Sequence, residues 1–288
     1  MQSVITPSES IDSSTLELRL KCNSEGKTII AHQYQTHPLK ISRPFRLDRD
    51  RDCRAYLYLR NNSPGLFAQD RLNISLNLKQ NTQTYLTEQS ATKVHPMTSG
   101  ATAEVNYQWN IEEGAMVEFV SEPLILYRDS ALKQKTQIEL HPTASLFWSD
   151  IVLPGRLARG EFYQFCFYHN CLEVYSDRGE LWLKEQTYLK GNNNKFGNSK
   201  LFASLPVLGT AIAIMPDVEL SLLEQAINNL NQDSFNKLIT ATSVLPHNKG
   251  ILIKVLASQV QTIKSYYSCV IDTIRKLNHQ PLLPTIPK

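Results

Sequence analysis

Paired cysteines of the CxxC type are missing from this sequence of 288 residues. Its five cysteines, Cys22, Cys53, Cys166, Cys171 and Cys269, are odd in number and scattered, which argues against a disulfide framework or a zinc knuckle. They read as reduced thiols of a cytosolic protein. The amino terminus, MQSVITPSESIDSS, has neither the basic start nor the apolar run of a signal peptide. The longest apolar stretch, 205–215, falls far short of a membrane span, so the expected location is the cytoplasm, away from membranes. Charge of one sign is scarce as well. The formal net charge is +3, and in the densest charged stretch, 46–54, the signs alternate and cancel. Nucleic acid is a poor partner for such a chain, because binding it needs a concentrated basic face.

Motifs of catalysis are also lacking. There is no HExxH, no GxSxG and no Cys-His nucleophile pattern. The loop GNNNKFGNSK at 191–200 does not place Lys directly after its second Gly, as a phosphate-binding loop must, and reads as an ordinary surface loop. The seven histidines are dispersed; His95 with Met97 is the one pair suggestive of a soft metal contact, and it too reads as a loop after a strand. None of these segments marks a catalytic centre or a tightly bound cofactor.

What is present is a period of two. Leu16, Leu18 and Leu20 alternate with Glu17 and Arg19, Leu72 to Leu78 with Asn73, Ser75 and Asn77, and Ala103 to Ile111 with Glu104, Asn106, Gln108 and Asn110. Further strands are expected near 115–120, 124–127, 135–140, 145–153, 161–168, 171–175 and 180–184, separated by turns such as Glu112-Glu113-Gly114. Three hairpins, 78–88, 111–122 and 140–150, overlay as strand, tight turn, small residue, apolar strand and acidic end, with Thr82, Ala115 and Ala144 equivalent. In that register Glu88 and Asp150 coincide and Ser121 holds the middle position. The fold class that follows is mainly β, with stacked sheets like those of a β-solenoid or β-helix and two helices in the C-terminal third. Residues 1–288 are expected to form one domain: a flexible lead over 1–14, β-rich layers over 15–190, strands plus two helices over 201–280 and a Pro-rich tail over 281–288. Ser221 with Glu224 reads as a capping box opening the first helix, and Ser258 as the cap of the second, whose apolar stripe is Val260, Ile263, Tyr267, Val270, Ile274 and Leu277. A hairpin joins 238–245 to 251–257.

Carboxylates carry the remaining chemistry. Glu88, Glu122, Asp150 and Glu161 stand at strand ends in apolar surroundings, where a charge needs a partner or water. A salt-bridge network with Arg156 and Arg159 is one reading, and a polar passage through the protein is the other. Two converging carboxylates also fit a glycosidase acid and base.

At these residues the chain resembles the UreD (UreH) family of urease accessory proteins, as a somewhat divergent member. LFWSDIVLPGRLARGE (146–161) is similar to the family's aromatic-Trp-Asp and Gly-Arg-x-Ala-Arg-Gly-Glu signature, and LTEQSATKVH (86–95) to its Thr-Thr-Gln-Ser/Ala-Ala-Thr-Lys segment. Pro38-Leu39-Lys40 with Arg43-Pro44-Phe45, SEPLILYRDSAL (121–132) and LPVLGTAIA (205–213) match in order. One departure concerns the family's turn Pro-Gly-Gly-x-x-Gly-Gly-Asp, which stands here as Ser63-Pro64-Gly65-Leu66-Phe67-Ala68-Gln69-Asp70, so the local path must differ or be strained. The resemblance implies a non-enzymatic assembly factor that binds UreF, through it the GTPase UreG, and acts with them on apo-urease, with nickel passing in transit along an internal polar tunnel. On that reading Glu88, Asp150, Glu161 and Glu122 are the candidate nickel-passage residues, and Ser90, Thr92, Lys93, Arg156 and Arg159 the passage walls. Tyr266, Cys269 and Ile271, off the apolar stripe of the last helix, are the candidate UreF-binding residues. The alternatives are a divergent paralogue serving another metalloenzyme and a carbohydrate-active β-solenoid enzyme.

Overall fold

A computed structural model describes residues 13–48, 52–191, 195–230, 235 and 237–287. Two facing sheets are built by a chain that crosses repeatedly from one to the other. The first contains β1 (Ser13–Cys22), β2 (Thr28–Gln35), β5 (Arg71–Leu78), β8 (Ala103–Ile111), β11 (Ala131–Leu140), β13 (Phe167–Ser176) and β14 (Leu181–Lys190), in the order β14-β13-β11-β8-β5-β1-β2. The second contains β3 (Leu39–Ile41), β4 (Ala55–Asn61), β6 (Gln83–Glu88), β9 (Met116–Val120), β12 (Ser145–Leu153), β15 (Val207–Ile214), β16 (Leu238–Val244) and β17 (Ile251–Ala257). Its order is β16-β17-β15-β12-β9-β6-β4-β3, with the short β7 (Thr92–Val94) and β10 (Leu124–Leu126) attached at β12.

The solenoid character lies in the consecutive pairs β5–β6, β8–β9 and β11–β12. Each pair turns a corner between the sheets, and like strands stack parallel. The corners repeat bond for bond: the N–H groups of Thr82, Ala115 and Ala144 donate to the carbonyls of Lys79, Glu112 and His141, at 3.2, 3.0 and 2.9 Å. All three small residues are buried, because any longer side chain there would strike the next layer. Inward residues of both sheets, such as Leu76, Trp109, Phe119 and Trp148, form the core between them. The stacking expected from the hairpin overlay is the observed architecture.

Among the described residues three α-helices follow: α1 (Lys200–Ser204), α2 (Leu220–Asn228) and α3 (Val260–Leu277). The five-residue α1 was not foreseen. α3 covers the outer face of the second sheet, burying Ile263, Tyr267, Val270 and Ile274 with Tyr56, Tyr85 and Phe147. Gly209 of β15 permits this approach, since a Cβ there would lie 2.5 Å from the Tyr267 hydroxyl.

Several boundaries differ from expectation. Glu219, not Ser221, caps α2, its carboxylate accepting from the N–H groups of Ser221 and Leu222. α3 starts after Gln259 with no side-chain cap, so Ser258 does not fill that role. The strands expected at 161–168 and 171–175 are one strand, β13, while 161–166 is loop; Tyr163 has φ +50°, which breaks any extended run. Residues 1–12 of the expected flexible lead, and 192–194 of the polar loop, lie outside the described residues.

Candidate functional site

The inner face of the second sheet is apolar for several rows, through Leu86, Phe119, Trp148 and Ile212. One pleat further on, the row turns polar. Asp150 of β12, Thr210 of β15 and Lys254 of β17 are direct cross-strand partners. Carrying the parallel registers of β6, β9 and β12 onward adds Glu88 and Ser121 to the same row. Across the gap, β13 brings Tyr168 and Asn170. Alternation sets this arrangement: every second residue of a strand faces inward, so one polar residue at the right parity in each of five strands makes a continuous polar row.

Asp150 is the centre of the row. The backbone N–H of Thr210 donates to its Oδ1 at 3.0 Å and Asn170 Nδ2 to its Oδ2 at 3.1 Å. Asp150 is half-buried between the sheets. Desolvation there pushes its carboxyl up to about 6, against the pull of the Lys254 ammonium and the Thr210 hydrogen bonds. Lys254 itself donates to Glu185 Oε1 of β14 and, at 3.3 Å, to Thr210 Oγ1.

Two cavities share Asp150 in their lining. The first, about 1020 Å³ including its mouth, runs from the 63–65 loop and Ser90, Thr92 and Lys93 inward past Glu88, Tyr107 and Ser121 to Asp150. The second, about 730 Å³, leads from Asp150 past Asn170, Thr210 and Lys254 to Thr187 and Ile239 at the far edges of the sheets. Asp150, Val152 and Tyr168 line both. Around this shared lining Ser121 Oγ, the Tyr168 hydroxyl and Asn170 Oδ1 are buried with no hydrogen-bond partner among the described residues. Buried polar atoms seldom stay unpaired, and a set of oxygens like this one suits a hydrated divalent ion or a chain of water.

Glu88 accepts from the Glu122 N–H at 2.9 Å and lies beside the partly buried Tyr107, whose hydroxyl is held well above its usual range by desolvation and then by the Glu88 charge. Because β9 intervenes, Glu88 and Asp150 stand two strands apart, roughly 9–10 Å, and not on neighbouring layers as the overlay suggested. Glu122 lines the first cavity while its carboxylate pairs with Lys264 of α3 at 2.7 Å. Glu161 is corrected: it is buried away from both cavities, gripped by the Arg156 guanidinium and by the N–H groups of Arg128 and Arg156. That grip holds its carboxyl down to about 2. Arg156 also lies 4.2 Å over the Tyr127 ring, so it braces the 155–161 turn and no passage wall. Arg159 is exposed.

Tyr266 and Ile271 are each 1% exposed, packed in the core under α3, so they do not present a partner surface. They widen the buried stripe instead. Cys269 is half-buried.

A buried ion cluster had no local signature in the sequence. On the outer face of the second sheet, Glu118 receives Arg54 Nη1 at 2.9 Å and Arg275 Nε at 2.8 Å, and Asp48 joins both arginines at 3.5 and 3.7 Å. Burial opposes the Glu118 charge, but the two guanidinium groups outweigh it and hold the carboxyl below its usual range. The one clue was a lone Glu inside the apolar strand Met-Val-Glu-Phe-Val. Lys254 and Glu185 were likewise missed, since nothing local marks them as inward-facing.

At the mouth of the first cavity, the divergent turn keeps the glycine it needs. A Cβ on Gly65 would lie 2.4 Å from the Lys93 carbonyl, at φ +153°. Where the related pattern has its last Gly, Gln69 adopts φ +70°. His95 stacks on Phe67 at 4.4 Å and its Nε2 lies 3.2 Å from the Pro64 carbonyl, fastening this loop. That contact is structural. Among the described residues no three of His, Cys, Asp and Glu form a cluster that could hold a metal ion, and no helix is long and apolar enough to cross a membrane.

Comparison with known proteins gives a consistent picture. The family described as UreD urease accessory protein matches residues 13–288. The chain is 45% identical over 279 residues to the urease accessory protein UreD of Trichodesmium erythraeum (strain IMS101), covering 96% of this chain and 100% of that protein. It is 30% identical over 253 residues to the urease accessory protein UreH of Helicobacter hepaticus (strain ATCC 51449 / 3B1), covering 88% and 95%. Against UreD of Haloarcula marismortui the identity is 26% over 260 residues, covering 90% and 85%.

Proposed function

The chain belongs to the UreD family of urease accessory proteins, and we propose on that footing that it is a non-catalytic, cytoplasmic assembly factor that passes nickel toward apo-urease through its interior. The single observation behind the passage is that Asp150 lines both cavities, with buried, unpartnered oxygens of Ser121, Tyr168 and Asn170 around it. Such a row suits transit. Carboxylate, hydroxyl and amide oxygens hold a divalent ion loosely, whereas a thiolate or imidazole cage would retain it. On this reading Glu88 and Glu122 lie on the approach from the first mouth, and Asp150 is the midpoint.

UreF and UreG are the proposed partners, UreF docking on this chain and UreG through UreF. Glycoside hydrolysis receives less support, because two acidic groups flanking one bond are wanted in an open groove, whereas Asp150 lies between the sheets and Glu88 is held to the Glu122 N–H. The test is deletion of this chain in its host, followed by measurement of urease activity and nickel content. The expected result is urease protein at normal level with little nickel. Fully loaded urease in the deletion strain would transfer the role to another protein and favour the paralogue reading.

A further inference from the structure

The polar row ends on a cation. Of the residues lining the two cavities, Lys93 and Lys254 carry positive charge, and Lys93 is exposed at the outer rim of the first. Lys254 is different: it is the cross-strand partner of Thr210, which is the partner of Asp150, and all three point into the same space. Its ammonium is held on one side by Glu185 of the opposite sheet and on the other by the Thr210 hydroxyl at 3.3 Å. The same Thr210 donates its N–H to Asp150. Lys254 is thus one residue removed from the central carboxylate, and its positive charge favours that carboxylate's ionised form.

The ammonium is not sealed in. The Lys254 side chain is 41% exposed and that of Glu185 27%, so the pair sits at the rim of the second cavity with room to swing outward. A carboxylate between the sheets with no cation nearby is disfavoured in its charged form, and a cation beside it loosens its hold on a divalent ion further. A flexible, tethered lysine supplies that cation. Resting and arriving cations compete for one negative potential, and the returning ammonium favours departure of the ion.

We propose that Lys254, tethered by Glu185, is the built-in counter-cation of the passage, balancing Asp150 when the passage is empty and moving toward solvent when a divalent cation occupies it. This rests on the passage reading given above. It assigns Lys254 a positioning role: it sets how tightly the passage holds an ion and does not ligate one.

The test uses the purified full chain at pH 8 with nickel(II) chloride, its affinity measured by competition with a colorimetric chelator. Lys254→Gln is expected to bind nickel about tenfold more tightly than the wild type, and Lys254→Arg to stay within about twofold of it. Lys254→Met serves as the second neutral variant should the glutamine form fold poorly. Acetylation of Lys254 by an activated ester, read by mass spectrometry, should rise severalfold when nickel is bound and stay flat in Asp150→Asn. If Lys254→Gln and Lys254→Met bind nickel like the wild type, or nickel leaves acetylation unchanged while Asp150→Asn still weakens binding, the counter-cation role is overturned and the passage stands. If Asp150→Asn binds nickel unchanged, the passage itself is refuted.

Discussion

Arg275, in the last turn of α3, holds Glu118 of β9 through two hydrogen bonds, Nε to Oε1 at 2.8 Å and Nη2 to Oε2 at 2.5 Å. Both side chains are 1% exposed. The pair ties the C-terminal helix to the solenoid across a separation of 157 positions. Arg275→Met leaves Glu118 and Asp48 with Arg54 as their remaining cation. It is expected to cost about 3–5 kcal/mol in urea denaturation, because a charge is orphaned in a dry site. A loss below about 1 kcal/mol would mean that the cluster contributes little.

Asp150 should lower stability, and the sign follows from its titration. Its carboxyl rises from an ordinary 3.8 to about 6 in the folded protein. The folded state therefore keeps this proton to higher pH than the unfolded chain, and stability falls as pH rises from about 4 to about 6. Asp150→Asn carries no such penalty. Above pH 6 it should be more stable than the wild type by about 1–3 kcal/mol, with the gap closing below pH 4. Thermal denaturation from pH 4 to pH 8 reads this directly, and a less stable variant at pH 8 would show that Asp150 is there for structure.

The layering was legible in the sequence where one strand's own pattern sufficed. Thr82, Ala115 and Ala144 mark the corners as small buried residues, and alternation gave β1, β5 and β8 their inward faces. Asp150 was legible as the acidic end of a repeated hairpin in apolar surroundings. What depended on distant partners was not. Lys254 and Glu185 lie 69 positions apart, and Arg54, Glu118 and Arg275 come from three separate regions. Of the two readings of Glu161 the salt bridge holds: a tight turn returns it to Arg156, five positions earlier, where the pair satisfies itself and leaves no passage role. The aromatic-rich 161–166 segment resembled a strand by composition, yet its side chains pack from a loop that turns at Tyr163.

Glu161 and Arg156 give a prediction of the opposite sign. The Arg156 hydrogen bonds hold the Glu161 carboxyl down to about 2, below its ordinary 4.5. Its stabilising contribution is therefore complete above about pH 4.5 and is lost as pH falls toward 2. Glu161→Gln should lower the melting temperature at pH 7 and narrow its difference from the wild type at pH 3. An equal difference at both values would exclude the ion pair as the cause. Nickel binding by the purified variant should not change, since Glu161 lies outside both cavities.

The divergent turn at the first mouth separates two kinds of glycine requirement. Gly65→Ala drives a Cβ against the Lys93 carbonyl and should destabilise by about 2 kcal/mol or more, with the 63–70 loop displaced. Gln69→Gly relieves a left-handed side-chain residue and should raise stability by about 0.5–1 kcal/mol. Thermal melts of the two variants should move in opposite directions. A destabilised Gln69→Gly would mean that the Gln69 side chain makes contacts worth more than the strain.

The most direct measurement is the nickel content of urease purified from cells whose only copy of this chain carries Asp150→Asn. The variant keeps the size of the side chain and one acceptor oxygen for the Thr210 N–H while removing its charge where the two cavities share a lining. The predicted result is variant protein at wild-type abundance, UreF still captured with it, and urease with markedly less nickel per active site. Urease loaded to the wild-type level by Asp150→Asn would contradict the passage through the interior.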